Sequence, residues 1–158
     1  MLRPYMSSQE RIFIEKFLKK SDIMLEWGSG GSTVCFSKLV DKMYSIEHDK
    51  NWFNKINSVK PKNVEYYFVE QNAPRTRPTK KEEFINYINF IDTLGVKRYD
   101  IVFVDGRARK FCALKALDYI DKESKVIIHD WERPIYKEVL DKYDIIDEIH
   151  RVGILIKK

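Results

Sequence analysis

What most constrains this chain is the regular exchange, along its whole length, of short apolar runs for stretches with helical spacing. Ile23-Met24-Leu25, Met43-Tyr44-Ser45-Ile46, Val64 through Val69, Ile101 through Val104 and Val126-Ile127-Ile128 each have strand length. Parallel neighbours need crossover helices on both faces of the sheet, so five such β-α units predict a doubly wound α/β fold, mostly parallel. Ile101 to Val104 is apolar without alternation, as a strand covered on both faces must be. The tail departs from the pattern. Ile145 to Ile149 and Ile154 to Ile156 are separated only by a short turn around Gly153. That connection is too short for a parallel crossover, so the sheet is expected to close in an antiparallel C-terminal hairpin.

Between the strands, Ser7 and Glu10 have capping-box spacing and open a helix running to about Lys19, with Phe13, Ile14, Phe17 and Leu18 on its apolar face. Ser32 or Thr33 is placed to cap a helix reaching about Val40. Helices are also expected from Lys50 to Ile56, from Lys81 to Leu94 with Phe84, Ile88 and Ile91 on one stripe, and from Lys110 to Tyr119. A last helix begins at Arg133-Pro134. Pro74 and Pro78 keep residues 72–79 irregular. No repeat, low-complexity tract or linker divides the 158 residues, which predicts one domain over 1–158 with the N-terminal helix of 1–20 packed on it.

Composition narrows the class. Hydrophobic residues make up 44% and aromatic ones 13%, too many for a disordered chain at a net charge of +5. No run approaches the ~18 continuous apolar residues of a membrane helix. The opening MLRPYMSSQER has no apolar leader core, so a soluble cytoplasmic protein without membrane attachment is expected. Two cysteines, Cys35 and Cys112, make neither a disulfide framework nor a metal cluster and read as packing residues. The 29 Lys and Arg against 24 Asp and Glu favour an acidic partner such as a nucleotide, a phosphorylated sugar or nucleic acid. The lysines are scattered and the densest basic stretch is Arg75 to Lys81, which makes nucleic acid the weaker candidate.

Chemistry concentrates where strands end. Leu25 to Thr33 reads LEWGSGGST, a strand-turn-helix whose glycines Gly28 and Gly30 let a ligand approach the backbone above the strand's carboxyl end. A dinucleotide fingerprint counted from Gly28 would place its third glycine at Thr33, so that fingerprint is incomplete. Glu47 closes the second strand nineteen residues beyond Gly28, a spacing at which a carboxylate accepts both hydroxyls of an adenosine ribose. Asp105 ends the fourth strand in Val104-Asp105-Gly106, and Asp130 ends the fifth in Ile128-His129-Asp130-Trp131. Adjacent parallel strand ends converge on one crevice, so the two acids are expected to share a site.

Taken together, Glu26 with Gly28 and Gly30, the strand-end acid Glu47, the Val104-Asp105-Gly106 strand end and the closing hairpin resemble the class I S-adenosylmethionine-dependent methyltransferases, over about Ile23 to Lys158. The resemblance implies a seven-stranded sheet with its last strand antiparallel. It implies that Glu26 faces the methionine end of the cofactor and that Gly28 and Gly30, with Ser29, Ser32 and Thr33 in the same turn, line the site. It also implies that Glu47 binds the ribose, and that a polar residue after the third strand, from Glu70, Gln71 and Asn72, sits beside the adenine; Asn72 is carried into the site.

Asp105 and Asp130 further resemble the carboxylates of the catechol-type, cation-dependent O-methyltransferases, which implies Mg²⁺ or Mn²⁺ gripping a hydroxyl acceptor. This sequence departs from that pattern at Trp131, where the subgroup often has a third ligand, leaving His129 or water to complete the shell. His129 has a second reading as general base with Asp105 and Asp130. Arg107 and Arg109 have guanidinium forks suited to an anionic group on the acceptor, or equally to acids on neighbouring helices. Trp131 is a candidate pocket wall. The leading expectation is an O-methyltransferase for a hydroxyl of a small molecule or glycan, reached by the loops Ala73–Lys80 and Trp131–Pro134. The rivals are a nicotinamide-dependent oxidoreductase, disfavoured by Thr33, and a non-catalytic nucleotide- or nucleic-acid-binding module.

Overall fold

The computed structural model describes residues 2–131 and 134–158. Seven strands form one sheet: β1 (Ile23–Trp27), β2 (Lys42–Glu47), β3 (Val64–Phe68), β4 (Ile101–Val104), β5 (Lys125–His129), β6 (Tyr143–Ile149) and β7 (Val152–Lys157). Their order is β3-β2-β1-β4-β5-β7-β6. The first five are parallel, and β7 slots between β5 and β6, antiparallel to both. The expected fold class is therefore the observed one. The hairpin turn falls at His150–Arg151, two residues earlier than the sequence suggests, with His150 at φ +47°. Gly153 lies inside β7 instead, where a Cβ would come within 2.7 Å of the Trp131 ring.

Apart from the edge strand β3, whose residues after Val64 are half-buried, the parallel strands are buried on both faces, which is why their sequences show little alternation. Leu25, Trp27, Val102, Val104, Val126 and Ile128 pack on one side with Phe84, Tyr87, Ile88 and Ile91. Met24, Phe103 and Ile127 pack on the other with Phe13, Ile14 and Phe36. The helices are shorter than their apolar periods. α1 (Ser8–Glu15) begins at the predicted Ser7–Glu10 capping box, and both reciprocal bonds are made. α2 (Gly31–Phe36) and α3 (Lys50–Asn57) follow β1 and β2. The predicted helix over 81–94 is broken into a 3-10 turn, α4 (Ile85–Asn89) and a second 3-10 turn, though its apolar stripe is buried as expected. α5 (Arg109–Ala116) follows β4, and α6 (Lys137–Leu140) follows a 3-10 turn at Pro134–Tyr136. Arg133, where the last helix was expected to begin, lies outside the described residues, as does Glu132 in the loop Trp131–Pro134. Among the described residues no helix is long and apolar enough to cross a membrane.

Candidate active site at the carboxyl edge of the sheet

The order reverses between β1 and β4, and the crevice of an open parallel sheet lies at the strand ends beside such a switch point. Gly28 leads the chain out of β1 at φ +92°, a left-handed conformation that a side chain resists. A Cβ there would stand 2.2 Å from the Gly106 backbone nitrogen. Gly28 is thus required by the close approach of the turns after β1 and β4, whatever ligand the crevice takes. Gly30 differs: its backbone is extended, and a Cβ would meet only the Trp52 indole at 3.5 Å.

Beneath this turn, Glu26 is 0% exposed. It accepts hydrogen bonds from Ser32 Oγ (2.5 Å), Thr33 Oγ1 (2.6 Å) and Ser45 Oγ (2.5 Å). Thr33 Oγ1 in turn accepts from the Gly30 N–H at 2.9 Å. Burial pushes the Glu26 carboxyl up to about 7 against the lowering effect of its three hydroxyl partners. This corrects the sequence reading at two positions. Glu26 does not face the crevice but braces the turn from below, and Thr33 acts through it from within the first turn of α2, whose N-cap is Gly30, whereas Ser32 bonds Glu26 and also lines a crevice.

Glu47 ends β2 with 3% exposure, and four donors occupy its oxygens. Ser29 N–H (2.9 Å) and Ser29 Oγ (2.7 Å) reach one oxygen; the His48 and Asp49 N–H groups, each at 2.8 Å, reach the other. Burial alone would raise this carboxyl, but the bonds from His48, Asp49 and Ser29 hold it below its usual range. Ser29 Oγ also lies 2.5 Å from the Tyr66 hydroxyl. Gly28, Ser29 and Glu47 share with Asp105, Arg107 and Arg109 a crevice of about 520 Å³. His48, Asp49, Asn51, Trp52 and Lys55 line it as well, and sequence reasoning missed them. The available signal was position, since all five follow a strand whose end was already placed at the site. Trp52 donates its indole N–H to the Ser29 carbonyl and lines both this crevice and a second of about 380 Å³ over Gly30, Gly31 and Ser32.

Asn72 is not at either crevice. Its side-chain oxygen accepts from the Asn86 N–H at 3.0 Å, pinning the following loop to α4, so the adenine-side assignment is corrected. Trp131 is corrected too: it is 7% exposed and stacks on Tyr136 with ring centroids 5.1 Å apart, a core residue under β7.

The structure does bring Asp105, His129 and Asp130 together, around Arg109. The Arg109 guanidinium lies 2.8 Å from Asp130 Oδ2 and 3.6 Å from Asp105 Oδ1, and it also donates to the His129 carbonyl at 2.6 Å and the Gly106 carbonyl at 2.8 Å. Arg151 approaches the other Asp130 oxygen at 3.1 Å. His129, 4% exposed, places Nδ1 2.9 Å from Asp105 Oδ1 and turns Nε2 toward Glu10 Oε2 at 3.9 Å. Two acids that hold a divalent cation must have an open oxygen-rich space between them. Here a guanidinium occupies that space, and among the described residues no group of three or more His, Cys, Asp or Glu is arranged to hold a metal. The Mg²⁺ or Mn²⁺ reading therefore does not fit these residues, and of the two roles open to Arg109 the acid-pairing one is observed. Glu10 was missed because its capping role already explained it.

No protein-family model matches the sequence, and no curated protein matches it. Solved structures do. A methyltransferase-like protein from Silicibacter pomeroyi superposes with a TM-score of 0.80 at 22% identity, over 99% of this chain and 89% of that one. A precorrin 8W decarboxylase from Methanobacterium thermoautotrophicum gives 0.66 at 12% identity, over 99% and 93%. A Streptococcus mutans protein assigned as a methyltransferase and solved with S-adenosylhomocysteine gives 0.63 at 12% identity, over 95% and 96%. At these identities the likeness is one of fold.

Proposed function

We propose that this chain is an S-adenosylmethionine-dependent methyltransferase acting on a hydroxyl. The observation that carries the reading is the union, in one crevice at the switch point of the sheet, of the Gly28 turn and the strand-end carboxylate Glu47. A fold neighbour solved with the demethylated cofactor supports it.

The residues fit the adenosyl part of such a cofactor. Glu47 is a buried carboxylate at the crevice, and its Ser29 hydroxyl partner has a second partner in Tyr66, toward which it can turn to release an acceptor site for a ribose hydroxyl. The cofactor supplies a methyl group on a sulfonium, already activated for in-line displacement, so the protein's tasks are positioning and acceptor deprotonation. Asp105 borders both crevices. One of its oxygens is fixed by His129, and the other is the group that takes the hydroxyl proton. Arg109 and His129 are positioning residues that hold Asp105 in place. Thr33, bonded to both Glu26 and Gly30, closes the turn where a dinucleotide pyrophosphate needs a third glycine, which weighs against an oxidoreductase.

Calorimetry with S-adenosylmethionine, S-adenosylhomocysteine and NAD tests the reading. Binding of the first two and not of NAD is expected. NAD binding without either of the others would replace it.

A further inference from the structure

We propose that the groove beside the cofactor crevice, between the 75–79 loop and the start of α5, is an acceptor subsite for a phosphoryl group, making the acceptor a phosphorylated small molecule with a hydroxyl-bearing ring; its role as acceptor site rests on the methyl-transfer reading above. The groove encloses about 470 Å³, and among the described residues its charged lining is basic: Arg75, Arg77, Arg107, Arg109 and Lys110. Arg98 and Lys115, outside the groove, each pair with two acids, Asp100 and Asp121 for the first and Asp92 and Asp118 for the second. In the groove, Arg75 and Arg77 pair with no acid among the described residues, Arg109 is committed to Asp105 and Asp130, and Lys110 reaches the exposed Glu138 at 3.0 Å and lies over the Phe111 ring. Guanidinium forks converging on a concave surface favour the geometry of a phosphate oxyanion.

The loop carrying Arg75 and Arg77 has no regular structure, yet it is held firmly. Buried Glu83 accepts from the Thr76 N–H at 3.0 Å and the Lys80 N–H at 3.1 Å, and Asn72 N–H reaches the Glu83 carbonyl at 2.8 Å. Both arginines are thus presented by an anchored segment. The groove also has an apolar side, formed by Pro78, Ala108, Phe111 and the exposed Ile135, against which a sugar ring can lie. Position completes the case. Gly106, Arg107 and Arg109 line both this groove and the crevice of Glu47, so an anion held here places its attached ring next to Asp105.

Calorimetry on the full chain tests this with pyrophosphate, glucose 6-phosphate, glucose and a short single-stranded oligonucleotide, each at low and moderate salt. Pyrophosphate and glucose 6-phosphate are expected to bind and glucose not. Arg75→Gln/Arg77→Gln should weaken both phosphates by about tenfold or more. S-adenosylhomocysteine affinity in that variant should stay within about twofold of wild type, since neither arginine borders the cofactor crevice. Phosphate binding unchanged in the double variant, or glucose binding as well as its phosphate, would overturn the subsite. An oligonucleotide binding far more tightly, with the steep salt dependence of many phosphate contacts, would overturn the small-molecule acceptor in favour of nucleic acid. The two readings fail separately. Phosphate binding lost in the variant while S-adenosylhomocysteine binds neither protein would sustain the groove and sink methyl transfer; the converse would sink the groove alone.

Discussion

Glu47 already carries four protein donors before any ligand arrives, so its contribution to binding depends on Ser29 giving way. Replacing Glu47 with Ala removes a charge-assisted acceptor and is expected to weaken S-adenosylhomocysteine by about 2–3 kcal/mol, roughly 30- to 150-fold. Ser29→Ala keeps the backbone donor and removes only the competing hydroxyl. It should cost about 1 kcal/mol of stability and leave affinity nearly unchanged. Calorimetry on both variants checks the pair, and a loss in Ser29→Ala as large as in Glu47→Ala would mean that the hydroxyl itself holds the ligand. The two glycines of the turn separate in the same way. Gly28→Val faces the Gly106 backbone and a left-handed φ, and strain of that kind alone costs ~1–3 kcal/mol before the clash is counted. The variant should fail to fold rather than only lose its ligand. Gly30→Ala, with only the Trp52 ring nearby, should keep the wild-type urea midpoint and report on the ligand. Equal urea midpoints for Gly28→Val and wild type would refute the packing role of Gly28.

At the scale of elements, Arg109 is a cross-brace, rising from the first turn of α5 to tie the turn after β4 to the turn after β5. Arg109→Leu leaves Asp105 and Asp130 facing each other without their common cation, at an expected cost of about 3 kcal/mol in urea unfolding. Because the brace and not a metal neutralises these acids, turnover of the wild type should persist in EDTA. Loss in EDTA with recovery on added Mg²⁺ or Mn²⁺ would restore the cation reading. The elements themselves were legible in the sequence: β4 was bounded correctly from its apolar run, and the capping box located the start of α1. Elements whose ends depend on tertiary contacts were not. The 81–94 helix has a continuous apolar stripe, yet its two 3-10 turns adapt to the sheet, and nothing local encodes that break. Within the site, strand-end acids were legible because a parallel sheet converges its carboxyl ends. The partners those acids choose were not. Arg109 sits 21 residues from Asp130 in sequence, and Glu10 lies 119 residues from His129, so pairing became visible only once the strands were in register.

Over the whole molecule, two buried carboxylates on neighbouring strands respond to pH with opposite signs. Glu47 is held below its ordinary value of 4.5, so its contribution to stability is present above that pH and is lost as the solution becomes more acidic. Glu26 is raised from 4.5 to about 7, so the folded state binds a proton that the unfolded chain releases. Its contribution is complete below about pH 4.5 and declines as pH rises through 7, a span worth about 3 kcal/mol at 1.36 kcal/mol per pH unit. Stability is therefore expected to fall between about pH 5 and pH 7.5, where the depressed acids are already ionised and contribute no slope. The Glu26→Gln variant keeps the shape of the neutral acid and offers amide donors to Thr33 and Ser45, whose hydroxyls can turn to accept. It should flatten the decline and exceed the wild type at alkaline pH. Urea unfolding of both proteins across this range provides the measurement. Parallel profiles would show that Glu26 stays ionised beneath the glycine turn throughout, its three hydroxyl donors outweighing burial.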